Sequence, residues 1–152
     1  MTAQADRPAT ILLVEDNPDH VVLIRRSFAE HDARASLMAV SDGEEALDYL
    51  FRRGEWSDPE KSPRPNLILL DLRLPKLSGF RVLEEVKRSP DLADIPVVIL
   101  TTSHADADMD RAYAGHANSY LVKPVEFDRF LQLAGDIGRY WLQWNRHPAR
   151  PV

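Results

Sequence analysis

A small set of side chains in this sequence could bind or transfer a phosphoryl group: Glu15, Asp16, Asp71, Thr101 and Lys123. Each follows a short apolar run. Ile11-Leu-Leu-Val14 runs into Glu15-Asp16, and Asn66-Leu-Ile-Leu-Leu70 into Asp71. Ile95-Pro-Val-Val-Ile-Leu100 leads to Thr101, Thr102 and Ser103, and Asn118 to Val122 leads to Lys123-Pro124. The first two runs, bounded by turn residues, predict strands buried on both faces, and the last two predict a fourth and a fifth strand. In open α/β sheets ligands bind outside the carboxyl ends of the strands, which is where all these polar residues fall. Three carboxylates gathered there repel by roughly 4 kcal/mol per pair at an effective dielectric near 20, so the site needs cations. Mg²⁺ suits oxygen ligands that leave positions open for a phosphate, and Lys123 adds a compact point charge. An aspartate nucleophile accepts a phosphoryl group as an aspartyl phosphate. Catalysis is then positioning plus charge neutralisation, with Thr101 offering a hydroxyl to a phosphoryl oxygen. No general base is needed, because carboxylates are ionised at neutral pH. Taken singly, an Asp after a strand is a cap or turn residue, and a Lys before Pro is a surface charge; the inference rests on four strand ends agreeing.

The elements that must position these groups alternate along the chain. After the first strand, Asn17 is a good N-cap and Pro18 a good first helical residue, and Val21, Ile24 and Phe28 follow at helical spacing. Ala35 to Val40 predicts a strand. Ser41-Asp-Gly-Glu44 has the form of a capping box, opening a helix with Ala46, Leu47, Leu50 and Phe51 on one face. Gly54 to Pro65, punctuated by Pro59 and Pro63, is longer than the usual loop before a strand and predicts a surface insertion; Trp56 within it offers a partner contact. Beyond Asp71, Leu77-Ser-Gly79 leads into a helix with Val82, Leu83 and Val86 inward, ended by Ser89-Pro90. Ala105 to Ala114 is a weakly amphipathic helix. The last helix is expected from about 125 to 146, carrying Phe127, Phe130, Leu131, Ala134, Ile137, Trp141 and Trp144 and stopped by Pro148. Five strands alternating with five helices imply a doubly wound parallel sheet covered on both faces.

Bulk properties narrow the function classes. The chain of 152 residues is one domain in length, and its 44% hydrophobic and 28% charged content is that of a globular protein. A net charge of −5 disfavours nonspecific binding to nucleic acid or to an anionic membrane. The absence of cysteine excludes disulfides, thiolate catalysis and cysteine-based zinc sites. No apolar run reaches the roughly 20 residues of a membrane helix, and Met1 to Ala9 has no apolar segment like that of a signal peptide. A cytoplasmic location is the expectation.

The motifs Leu-Val-Glu15-Asp16, Leu-Leu-Asp71-Leu-Arg-Leu-Pro-Lys-Leu-Ser-Gly79, Thr101 and Tyr120-Leu-Val-Lys123-Pro124 resemble those of receiver domains of bacterial two-component response regulators, from about Thr10 to Leu142. The resemblance implies a flavodoxin-like fold with strand order 2-1-3-4-5. It implies that Asp71 accepts phosphate from the phosphohistidine of a sensor histidine kinase, or from a small donor such as acetyl phosphate. By the same implication Asp16, Asp71 and the backbone carbonyl of Arg73 bind Mg²⁺, or Mn²⁺ in its place, with Glu15 acting through water. Lys123 would pair with the phosphoryl group, through a cis bond to Pro124. Thr101 and Tyr120 would form the switch that repacks the face of the fourth helix, fifth strand and fifth helix, a population shift between two states. Thr102, Ser103 and above all Arg73 would tune phosphoryl lifetime, with Arg73 lying over the phosphoryl group where many receivers have smaller or polar residues.

The length, Trp56, Trp141, Trp144 and the Asn-Pro-Asp start most resemble the stand-alone receivers serving bacterial phytochrome kinases. Expected boundaries are a disordered tail over 1–9, a receiver domain over 10–146 with its insertion at 54–65, and a tail over 147–152. The residues after Lys123 leave no room for an effector domain, so no DNA-binding output is expected. A homodimer through the last helix and the switch face, and no enzymatic turnover beyond self-modification, complete the expectation. Alternatives fit less well. A haloacid dehalogenase-type phosphatase uses Asp-x-Asp, where this chain has Arg73. A flavin-binding protein of related topology needs an amide- or hydroxyl-rich phosphate loop after the first strand, where Glu15-Asp16 would repel phosphate. A phosphorylation-independent scaffold would not need the full acceptor set.

Overall fold

Alternating apolar runs and amphipathic segments fold as a sheet wrapped by helices in the computed structural model, which describes residues 8–148. In chain order the elements are β1 (Thr10–Val14), α1 (Pro18–His31), β2 (Ser36–Val40), α2 (Gly43–Phe51), β3 (Leu67–Leu70), α3 (Gly79–Arg88), β4 (Val97–Thr101), α4 (Asp106–Ala114), β5 (Ser119–Val122) and α5 (Phe127–Gly138). The strands are parallel in the order β2-β1-β3-β4-β5, with Val14 opposite both Val40 and Leu70. The flavodoxin-like topology is therefore as expected, and every strand ends on the same edge.

Because strand side chains alternate between faces, the sheet divides two cores. Leu12, Val14, Ile68, Leu70, Val97 and Ile99 pack against α2, α3 and α4. Ile11, Leu13, Leu67, Leu69, Val98 and Leu100 pack against Ile24 and Phe28 of α1 and Phe130, Ala134 and Ile137 of α5. Ala9, expected in the tail, is buried in this second core; the rest of that predicted tail, Met1 to Arg7, lies outside the described residues.

Local chemistry sets where each helix starts. Asn17 Oδ1 accepts from the N–H groups of Asp19 and His20 at 2.9 and 3.4 Å, and Pro18 takes the first helical position. On α2 the cap is Asp42, one residue later than the Ser41 expectation. Its Oδ1 accepts from Glu45 N at 2.8 Å, while Glu45 Oε1 accepts from Ser41 N at 3.1 Å. Arg52, left-handed at φ 56°, ends α2. Phe51 is left at an exposed last turn, while Tyr49 is buried.

Tyr49 also explains the insertion. Its hydroxyl donates to Pro63 O at 2.7 Å, and burial pushes its pKa up to about 12. Trp56 packs on the Tyr49 ring with centroids 5.0 Å apart. The buried Ser62 hydroxyl donates to Trp56 O, and the Arg52 guanidinium reaches Ser62 O. The segment is bound down on α2, with Trp56 half-buried inward rather than offered outward.

The final helix starts at Phe127, two residues later than expected, after the Glu126 cap position. It continues through a π-helical turn, Arg139–Trp144, closed by Asn145 N donating to Tyr140 O at 2.6 Å. Of the aromatic and aliphatic residues that this helix carries, Phe127, Leu131 and Trp144 are exposed. Among the described residues no helix is long and apolar enough to cross a membrane.

Candidate functional site

The carboxyl edge of the sheet gathers the predicted polar residues. Asp71 N donates to Val14 O and Glu15 N to Val40 O, so both acids leave the ladder still hydrogen-bonded and side by side. Carboxylate oxygens of Glu15, Asp16 and Asp71 all lie within 4.8 Å of one another. Glu15 and Asp71 are buried, and Asp16 is exposed. Behind Asp71, α3 starts so close that a Cβ on Gly79 would sit 2.2 Å from Asp71 O and 2.7 Å from Leu72 Cα. Only glycine allows that approach, which fixes the turn after β3.

Lys123 enters the same space from the end of β5. Its N–H donates to Thr101 O at 2.7 Å. Its buried Nζ donates to Asp71 Oδ2 at 2.8 Å, forms a short bond to Glu15 Oε1, and lies 3.2 Å from His20 Nδ1. The other Asp71 oxygen, Oδ1, accepts from Arg73 N at 3.2 Å. Burial pushes the Glu15 carboxyl up, opposed first by the Lys123 hydrogen bond and charge and then by the Asn17 N–H. His20 is pushed down by burial and by the Lys123 charge. The Lys123–Pro124 bond is trans, against the cis expectation. Trans is the preferred form by about 0.5–1 kcal/mol, and the trans chain already delivers Nζ to both carboxylates.

The remaining predicted residues form a second cluster beside the first. Thr101 is fully buried at the end of β4, its Oγ1 accepting from Ser103 N at 3.4 Å. The Tyr120 hydroxyl donates to Ser103 O at 3.1 Å. Ser103 Oγ donates to Asp108 Oδ2 at 2.6 Å, and Arg73 Nη2 reaches that same oxygen at 3.3 Å. The Arg73 guanidinium is thus drawn to α4 by Asp108 instead of lying over Asp71; the cation at Asp71 is Lys123. Thr102 is exposed.

The first cluster can bind a hard cation and present a carboxylate to an electrophile. Its donors are all oxygens, and Asp16 stands open to solvent, which fits Mg²⁺ or Mn²⁺. His20 was not anticipated. A lone histidine carries no spacing signal, but Asn17 and Pro18 place it in the first turn of α1, directly over the β1 terminus.

Residues 11–134 match the response regulator receiver domain family. The chain is 46% identical over 146 residues to the probable methanogenesis regulatory protein FilR2 of Methanothrix harundinacea, covering 96% of this chain and 92% of that one. It is 40% identical over 149 residues to response regulator Rcp1 of Synechocystis, covering 98% and 99% of the two chains. The crystal structure of Mn²⁺-bound Rcp1 superposes with a TM-score of 0.88 at 42% identity, over 93% of this chain and 100% of that chain. That of the phosphorylated cyanobacterial phytochrome response regulator RcpA gives 0.88 at 38% identity, over 94% and 100%.

Proposed function

This chain belongs to the response regulator receiver domain family, and from that premise we propose that it is a phosphorylation switch with Asp71 as acceptor. The observation that carries the reading is the buried Lys123 ammonium joined to Asp71 at 2.8 Å beside Glu15 and Asp16. An Asp71 oxygen attacks phosphorus, the bond from phosphorus to the donor's histidine nitrogen or acetyl oxygen breaks, and an acyl phosphate forms. Lys123 donates to a phosphoryl oxygen, and its charge offsets the added anion. Asp16, Asp71 and the backbone carbonyl of Arg73, with Glu15 through water, would hold a divalent cation, which would supply further neutralisation of phosphoryl charge. Once the group is in place, Thr101 turns its hydroxyl from Ser103 N toward the phosphoryl, and Tyr120 leaves Ser103 O. Driving such a two-state change from about 1:99 to 99:1 takes roughly 5.5 kcal/mol, within reach of a dianion placed beside an ammonium.

The donor is a sensor histidine kinase of the bacterial phytochrome class, a reading supported by the likeness to a phytochrome response regulator along nearly the whole chain. The protein acts in the cytoplasm and turns over no independent substrate. A second copy is the partner for the face of α4, β5 and α5 and for the π-helical turn after α5, where Leu131 of α5 and Tyr140 and Trp144 of that turn are exposed. Incubation with acetyl phosphate and Mg²⁺, read on a phosphate-affinity gel, tests the acceptor. Wild type shifts and Asp71→Asn does not; no shift in wild type, or equal shifts in both, refutes it. Light scattering with and without phosphorylation tests the dimer.

A further inference from the structure

An ammonium has three N–H groups to place, and buried Lys123 finds three acceptors: Asp71 Oδ2, Glu15 Oε1 and His20 Nδ1. The first two belong to the acceptor site. The third is held independently of it. His20 sits in the first turn of α1, its N–H bonded to Asn17 Oδ1, and its ring is stacked on Phe130 of α5 at 4.6 Å and 26°. Both helices on that side of the sheet, α1 and α5, thus hold the ring whose Nδ1 faces Lys123. Lysine is a flexible point charge, so what aims it decides how well it meets a phosphoryl oxygen.

We propose that His20 is a positioning residue of this site, its imidazole Nδ1 accepting the third N–H of Lys123 and holding the ammonium at Asp71. This rests on the reading of Asp71 as acceptor. On phosphoryl transfer the N–H now directed at Asp71 turns to a phosphoryl oxygen, while those on Glu15 and His20 keep Nζ in place. Preorganisation of that kind raises the rate of the transfer step without altering donor binding.

Side-chain chemistry separates the acceptor from the stack. Asn places Oδ1 where His places Nδ1 but lacks the ring; Phe keeps the stack on Phe130 and lacks the acceptor. His20→Phe should lower the rate constant at saturating acetyl phosphate on the order of tenfold, the size of one charge-assisted hydrogen bond, with half-saturation unchanged. His20→Asn should stay within about twofold of wild type on the same basis. In metal-free protein, the slowly exchanging Lys123 ammonium NMR signal should persist in wild type and His20→Asn and vanish in His20→Phe. A His20→Phe protein as fast as wild type, two variants equally impaired, or an ammonium signal unchanged in His20→Phe overturns the proposal. A wild type that takes no phosphate refutes the acceptor reading and this role with it, and is told apart because the NMR comparison needs neither metal nor phosphate.

Discussion

Replacing Lys123 with Met removes the counter-ion from two carboxylates that are only 3% and 7% exposed. At an effective dielectric near 20, losing an ammonium about 2.8 Å away forfeits roughly 6 kcal/mol per pair. The protein has a cheaper escape, which is to protonate one acid. Holding a proton on a carboxyl of ordinary pKa 4.5, the Glu15 reference, costs about 1.4 kcal/mol per pH unit above that value. At pH 7 this comes to about 3 kcal/mol, close to the measured cost of breaking buried pairs elsewhere. Protonation therefore sets the loss. The variant's folded state then binds one more proton than its unfolded state, so its stability falls as pH rises. The deficit against wild type should be about 3 kcal/mol at pH 7 and shrink by about 1.4 kcal/mol per unit on acidification, closing near pH 4.5. Urea unfolding followed by tryptophan fluorescence in chelator, repeated across that range, measures it, and saturating Mg²⁺ should reduce the deficit at pH 7. A variant as stable as wild type at pH 7 without metal, or a deficit indifferent to pH, refutes the reasoning.

Gly79→Ala should destabilise by about 1–3 kcal/mol and slow phosphorylation together, because a Cβ there meets backbone 2.2 Å away at Asp71; an unchanged unfolding midpoint argues against the packing account. Tyr49→Phe should cost about 1 kcal/mol at pH 7 through the lost Pro63 bond. The Tyr49 phenol is raised from 10.0 to about 12 in the fold, so its contribution is complete below pH 10 and is lost as pH rises through 12; the Phe variant should lack that alkaline decline in urea titrations. Arg73→Asn should leave stability within about 1 kcal/mol, since the Arg73–Asp108 pair is largely exposed, and, because the guanidinium is already drawn to α4, should leave the dephosphorylation rate close to that of wild type. A phosphoryl lifetime shortened several-fold in the variant refutes this placement and restores Arg73 as the cover of Asp71.

The sheet and its crowded edge were legible because both are written locally. Ile11–Val14 and Leu67–Leu70 are apolar runs that could only be buried, and the acid after each run falls at the sheet's edge by geometry alone. What escaped depended on contacts far apart in sequence. Arg73 looked like a cover for Asp71 because its spacing places it there; Asp108, thirty-five residues on, draws it away. The insertion read as a surface segment with Trp56 outward because prolines and glycine break its pattern, whereas it is restrained by Tyr49 of α2 and by Arg52 at that helix's end. Phe51, expected on the helix face with Leu47 and Leu50, lies exposed in the last turn before a left-handed Arg52 that no propensity signals. The Lys123–Pro124 geometry came from resemblance, and nothing in the local hydrogen bonding required it.

The two cores have a consequence for how substitutions combine. Leu13 and Leu12 are neighbours in sequence yet pack into layers that share no side chains, so changes on opposite faces should add independently. The polar edge differs. There Phe130 touches His20, His20 touches Lys123, Lys123 touches Asp71, and the backbone of Arg73 reaches Asp71 while its side chain reaches Asp108 on α4. A fold insulated through its middle is wired along its rim, and non-additive pairs of substitutions will be found where the strands run out.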